Sequence, residues 1–456
     1  MLKKVLVGLG FLLCLNACST LNPPMSASDN HRPPIVLVHG NGDNASIWQN
    51  IAWQFESNGW PRNRIVAIDF LFPLARADEA KEQPGRSGTN DQLRELAATI
   101  DSVLKRTGAT QVILIANSRG GYAVRNYVRN YPGGKEKVAS VVLGGVPNHG
   151  VWNGSFNPIS EFNGAGAFLK ALNAPQGLDL TKGLEVTPGV PFATLRSDNN
   201  DKFAQPKGLW IGQPNLDTGV TYDGPSLVGA TNIVLPGRDH REVSFHPQAF
   251  AATYQFITGK LPLISGISIE SAVVLNGRIG GFIGLDPVNE GLAGARVTVF
   301  EVHSHSGERK GNAVHEKQVA ADGLWGPFNA RSDTHYEFVI EAAGFATTHI
   351  YRSPFPRSSN MINLRPARIV DADKDAYSVV VMNRSRGYFG LGRDQMSFDG
   401  LPLPLVAPGV AGVSASKLKV MAGTSRPVVT EFNGERIVVR AWPLAENRLV
   451  FADLSY

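Results

Sequence analysis

From residue 34 to about residue 260 the sequence alternates two kinds of apolar pattern, and few architectures accommodate that alternation. Ile35-Val36-Leu37-Val38, Ile65-Val66-Ala67-Ile68, Val112-Ile113-Leu114-Ile115 and Val138 to Leu143 are short runs rich in β-branched residues. A strand with almost no polar face must be covered on both sides, as inside a parallel sheet. Between two of these runs Leu93, Leu96, Ala97, Ile100, Val103 and Leu104 recur at spacings of three and four. That spacing predicts a helix with one apolar face, opened at Thr89/Asn90 and stopped by Gly108. Strand and helix in alternation give an α/β sheet with right-handed crossovers.

Beyond residue 260 the helical period disappears. Short β-rich runs such as Ala295 to Phe300 and Tyr336 to Ile340 are separated by Gly, Pro and Asp, which predicts a sandwich or barrel. A chain of 456 residues is too long for one core, and 48 glycines with 29 prolines suit a turn-rich, strand-rich second half. The predicted fold class is therefore an α/β domain over 34–260 followed by an all-β region. Forty-four Lys and Arg against 39 Asp and Glu leave a net charge of +5 without a basic run, so a nucleic-acid partner has no support.

Both cysteines, Cys14 and Cys18, fall in the first eighteen residues, so nothing after them can form a disulfide. Lys3 and Lys4 precede an apolar stretch from Val5 to Leu15, too short to span a bilayer but suited to a signal-peptide core over 1–17. Leu15-Asn16-Ala17-Cys18 resembles a bacterial lipobox, which implies lipidation at Cys18, a membrane anchor and a tether over 18–33. Ser19 after that cysteine resembles outer-membrane sorting in Gram-negative lipoproteins. The alternative is a plain secretory signal with an incidental cysteine.

The chemistry concentrates at Ala116-Asn117-Ser118-Arg119-Gly120-Gly121, between the run at 112 and a helix reaching about Tyr131. A serine in a tight strand-to-helix turn needs small neighbours at −2 and +2, because the two backbones converge there. Such a turn also presents Oγ outward over a helix N-terminus. The plainer reading is a serine N-cap. This segment resembles the nucleophile elbow of the α/β-hydrolase fold, with Ala116 in place of the first glycine.

The resemblance extends along the chain. Val38-His39-Gly40-Asn41-Gly42 stands where such enzymes build half of an oxyanion hole, implying that the amides of Asn41 and Arg119 bind the oxyanion. His39 is expected as a brace of that loop rather than a base. Thr194 to Phe203 resembles the acid loop of bacterial lipases; the pattern of a nearby apolar residue and Pro206 favours Asp201 over Asp198 as the acid. His240, ahead of a helix starting at Pro247, resembles the catalytic histidine, and His246 reads as a surface residue. His149, in Val142 to Gly150, reads as structural. Residues 151–190 read either as a connecting loop or as a lid lining an acyl pocket.

Residues 34–260 thus resemble a secreted bacterial triacylglycerol lipase or carboxylesterase. Residues 266–355 resemble a transthyretin-like, carboxypeptidase-regulatory module, and 356–456 read as a further β domain. The layout is similar to two-domain lipases. It implies hydrolysis of an ester or lipid substrate through an acyl-enzyme at the cell envelope, with no cofactor. A polyester or polyhydroxyalkanoate depolymerase would carry the same triad, and an amidase or peptidase is a lesser alternative; a surface-binding lipoprotein with an inactive hydrolase domain is the non-enzymatic one. His303 and His305 alternate on one strand face, but no third ligand stands near, so no metal site is expected.

Overall fold

The computed structural model describes residues 32–177 and 183–456. The signal, lipobox and almost all of the tether lie outside the described residues. Six strands form a parallel sheet: β1 (Ile35–Val38), β2 (Ile65–Ala67), β3 (Val112–Asn117), β4 (Val138–Gly144), β5 (Phe192–Ser197) and β6 (Thr231–Leu235). Their order across the sheet is β6-β5-β4-β3-β1-β2, every neighbouring pair parallel. The two-residue period of a strand divides each apolar run between two cores. Ile35, Leu37, Ile113 and Ile115 enter one face with Trp48, Phe55 and Phe250. Val36, Val38, Val112 and Leu114 enter the other with Leu96, Ile100, Val124 and Tyr127. This is why those runs show no polar face: each is buried on both sides.

The helices end where the sequence chemistry ends them. α1 spans Gln49–Ser57 and α2 spans Thr89–Thr107. The backbone N–H of Gly88 donates to Asp91 Oδ2 at 2.8 Å at the start of α2, and Gly108 closes it with φ +66°. α3 is Gly120–Asn130, α4 is Ala167–Asn173, and α5 is Pro247–Thr258. Among the described residues no helix is long and apolar enough to cross a membrane.

The remainder is β-rich. A seven-stranded sheet takes β7 (Arg296–Val302), β8 (His315–Gln318), β9 (His335–Glu341), β10 (Thr347–Arg352), β11 (Ser378–Asn383), β12 (Ala415–Val420) and β13 (Arg448–Asp453). Their order is β8-β7-β9-β10-β13-β11-β12. The carboxyl-terminal strand β13 lies parallel to both β10 and β11, so one sheet joins the units expected at 266–355 and 356–456. A three-stranded sheet over 396–440 packs a second core of Val428, Phe432, Ile437 and Val439 against Val380 and Val450. The chain therefore has an α/β segment built on a parallel sheet, followed by a β-rich carboxyl-terminal region.

Candidate active site

The elbow is built by a backbone that only certain residues permit. Ser118 follows directly on β3 with φ +51°, in the left-handed region that a non-glycine residue occupies at a cost of about 1–3 kcal/mol. Its N–H donates to Gly144 O at 3.0 Å, which fixes the turn against β4. A Cβ on Gly120 would stand 2.5 Å from His39 O and 2.7 Å from Val38 O, so the +2 position has no room for a side chain. The smallness expected at that position is thus a close approach between α3 and the loop after β1.

Three side chains meet at the carboxyl ends of the strands. His240 Nε2 lies 2.9 Å from Ser118 Oγ, and His240 Nδ1 lies 2.8 Å from Asp201 Oδ2. The other carboxylate oxygen of Asp201 accepts the Phe203 amide at 2.8 Å, which restrains the carboxylate. Asp201 and His240 are both buried, 8% and 3% exposed. Phe203 packs edge-on against the His240 ring at 4.7 Å and screens the pair from water. Asp198 does not reach His240; its Oδ2 accepts the Gly237 amide at 2.9 Å and ties the loop after β5 to the turn after β6.

The other histidines separate cleanly. His39 is fully buried, its Nε2 accepts the Phe70 amide at 3.1 Å and its Nδ1 donates to Gly40 O at 2.8 Å, so it braces the loop after β1. Burial holds it below the ordinary histidine pKa, with the Gly40 carbonyl opposing the shift. His149 pairs with Glu185 at 2.9 Å, and Glu185 also accepts the Val228 amide, a structural tie. His246 corrects an expectation: it is half-buried and caps α5, accepting the Gln248 amide at 3.2 Å. Burial, followed by the positive charges of Arg238, Arg384 and Arg393, pushes it down to about 4. His303 and His305 face each other at 5.5 Å, and no cluster of three ligating side chains occurs among the described residues.

The cavity in front of Ser118 has a volume of about 310 Å³. Its apolar wall is Val151, Trp152 and Phe162 from the segment after β4; its polar wall includes Asp43, Lys202, Arg241 and Tyr388. Asn41 lies at the same cavity, its side chain turned away to accept the Ala75 amide at 2.8 Å. Neither the Asn41 nor the Arg119 amide donates to an acceptor among the described residues, and Arg119 immediately precedes the first residue of α3. Burial lowers Lys202 to about 8, and its ammonium donates to Gly412 O at 2.9 Å while lying 4.1 Å from the Tyr388 ring centre.

The contacts of three residues, Asn117, Arg119 and Tyr388, escaped the sequence reading. The Asn117 side-chain Nδ2 donates to Gly144 O at 3.1 Å and Ser244 Oγ at 2.9 Å, tying the elbow to the histidine-bearing turn. The Arg119 guanidinium, fully buried, forms a two-pronged pair with Glu161, and its Nη2 donates to Ser87 O at 2.6 Å. Glu161 belongs to the 151–177 segment, so the residue after Ser118 fastens that segment down. Tyr388, from the β-rich region, enters the cavity wall. No local signal marks these partners; each is distant in sequence. A serine after a strand and an isolated His and Asp, by contrast, carry local patterns.

Two family models match the chain. One described as "alpha/beta hydrolase fold" matches residues 33–176, and one described as "Lipase C-terminal domain" matches residues 271–369. The second runs past residue 355 and carries a different description from the carboxypeptidase-regulatory module expected there. Among solved structures the chain is similar to Aspergillus fumigatus lipase B, at 16% identity with a TM-score of 0.36, covering 54% of this chain and 57% of that one. It is also similar to Bacillus licheniformis lipase BlEst2 in its propeptide form, at 14% identity and TM-score 0.35, covering 90% and 93%. A gene product of Listeria innocua aligns at 18% identity and TM-score 0.33, covering 50% and 95%. Likenesses this distant carry no argument about activity. The chain therefore has the α/β-hydrolase fold over its first half and, over residues 271–369, is similar to the carboxyl-terminal domain of lipases.

Proposed function

We propose that the protein hydrolyses carboxylic esters by an acyl-enzyme route, with Ser118 as nucleophile, His240 as general base and then acid, and Asp201 as the residue that orients His240. The observation that carries this reading is the unbroken contact from Ser118 Oγ through the two ring nitrogens of His240 to Asp201, at 2.9 and 2.8 Å. In the first half-reaction Ser118 Oγ bonds to the ester carbonyl carbon as its proton passes to His240 Nε2. The carbonyl oxygen becomes an anion facing the free amides of Asn41 and Arg119, each contributing about 2.7–4 kcal/mol to the transition state. Collapse breaks the C–O bond to the alcohol, which leaves with the His240 proton. Water repeats the sequence, releases the carboxylic acid and restores Ser118. Asp201 keeps the Nδ1 proton in place and stabilises the imidazolium.

The apolar wall of Val151, Trp152 and Phe162 supports an acyl arm lying against the 151–177 segment. No cofactor or metal enters this mechanism. Lipidation at Cys18 and an outer-membrane location belong to the same reading; the first rests on the lipobox and the second on Ser19 after it. Rates for p-nitrophenyl esters with wild type and Ser118→Ala test the mechanism: activity should be lost in the variant, and an unchanged rate contradicts it. Turnover of tributyrin, triolein emulsion and polyester film separates esterase, lipase and polyester depolymerase. Anilide substrates test for amidase activity, and an inactive wild type would indicate a binding lipoprotein.

A further inference from the structure

The turn that carries His240 encloses two carboxylates. Asp239 is fully buried and Glu242 is 3% exposed. Asp239 Oδ1 accepts the amides of Arg241 at 2.9 Å and Glu242 at 3.0 Å, while Glu242 Oε2 accepts the Asp239 amide at 3.0 Å. The two side chains therefore wrap the backbone on which the imidazole stands. Carboxylates at that depth need cations in contact, since an unpaired charge without water around it is strongly disfavoured.

Those cations come from the β-rich region, from the loop that follows β11. Arg384 Nη2 lies 2.6 Å from Glu242 Oε1, and its Nη1 lies 3.3 Å from Asp239 Oδ2. Arg393 Nη1 lies 2.9 Å from Glu242 Oε2, and its Nη2 lies 3.3 Å from Asp239 Oδ2. Each guanidinium bridges both carboxylates. The Tyr388 amide, between them in sequence, donates to Asp239 Oδ2 at 2.8 Å, and Tyr388 O accepts from both arginines at 2.6 Å. On the same turn Arg241 pairs with Asp43 at 2.6 Å and donates to Ser385 O at 2.7 Å.

We propose that Arg384 and Arg393 are positioning residues for the reaction: the loop after β11 holds the 239–242 turn at the one setting in which His240 reaches both Ser118 and Asp201. This deepens the ester-hydrolase reading and rests on it. The contact is more than an adhesion between two regions, because its charges sit on the residue before His240 and two after it. A shift of about 1 Å in a catalytic group can cost roughly 10²-fold in rate.

Arg384→Met and Arg393→Met in the full chain test this on a short, soluble p-nitrophenyl ester, with kcat and KM measured separately. The control is Arg309→Met, which removes a partner of the fully buried Glu337 (2.6 Å) elsewhere in the β-rich region. Arg384→Met should lower kcat roughly 10²-fold and leave KM within about threefold, since it removes alignment and not substrate contact. Arg309→Met should lower Tm and leave kcat unchanged. Glu242→Gln in the Arg384→Met background should restore part of kcat, because it removes a buried charge that Arg393 alone is left to offset. Should Arg384→Met not fold, Arg384→Lys retains the charge without the two-pronged grip and should show the same kcat loss in smaller degree. Unchanged kcat in a folded Arg384 variant, or an equal kcat loss in Arg309→Met at the same drop in Tm, overturns the proposal. Loss of activity in Ser118→Ala with kcat intact in Arg384→Met overturns the positioning role alone; activity surviving in Ser118→Ala overturns both.

Discussion

The six-stranded parallel sheet and the seven-stranded sheet that follows it solve different problems. In the first, strands such as β1 and β3 are buried along their whole length, and all their carboxyl ends point one way. Loops leaving one edge of such a sheet converge, and side chains far apart in sequence meet there. Asn41 follows β1, Ser118 follows β3, Asp201 follows β5 and His240 follows β6. In the second sheet most neighbours are antiparallel, so successive loops leave opposite edges. β7 alternates between exposed or half-exposed Arg296, Thr298 and Phe300 and buried Val297 and Val299. That region assembles no triad; it lends charge and one aromatic wall to the site of the other. Reactive side chains gather where strands run parallel, and support arrives from wherever a loop can reach.

Breaking the parallel half at its apex should have the largest effect. Ser118→Ala should lower kcat by about 10⁴-fold or more without moving Tm downward, measured on p-nitrophenyl esters. Asp201→Asn should cost about 10⁴-fold, because the amide no longer fixes the Nδ1 proton, while Asp198→Asn should cost less than about tenfold. The reverse ranking would transfer the acid role to Asp198. Arg119→Met leaves Glu161 buried without its cation and should destabilise by about 3–5 kcal/mol in chemical denaturation. Phe338→Ala sharpens the contrast from the other side. Phe338 is fully buried in the core of the second sheet, so truncation should cost about 3–5 kcal/mol and leave kcat at low temperature unchanged.

The smallest effect is on pH dependence. His246 titrates near 4 in the folded chain, below its ordinary value, so between about pH 4 and 6.5 the unfolded chain binds a proton that the native chain does not. Stability from this group is therefore present above pH 6.5 and lost as pH falls through 4. Solvent screening at a half-exposed site limits the contribution to at most about 2 kcal/mol. His246→Asn keeps an N-capping side chain and should flatten that part of the Tm profile; an unaltered profile would contradict the assignment.

Much of this was legible in the residues. The apolar runs at 35, 65 and 112 announced strands because burial on two faces leaves no polar position, and Gly108 closed its helix where a left-handed cap was required. Ser118 was legible because the elbow demands small neighbours locally. The choice between Asp198 and Asp201 was less so, since the two stand three residues apart and differ only in which way the loop turns. Glu161, Arg384 and Tyr388 were not legible at all. Each acts across a gap of dozens to hundreds of residues, and a buried ion pair leaves no periodic trace in either partner. His246 misled for a related reason: a polar residue at a helix start reads as exposed until the arginines around it are known.

The proposed mechanism requires one serine to be activated by one histidine. Labelling the wild-type chain with a fluorophosphonate at neutral pH, followed by peptide mass mapping, tests that directly. A single adduct on Ser118, absent in Ser118→Ala and slowed by orders of magnitude in His240→Ala, is the predicted result. An adduct on another residue, no adduct at all, or labelling of Ser118 that is indifferent to His240 would contradict it.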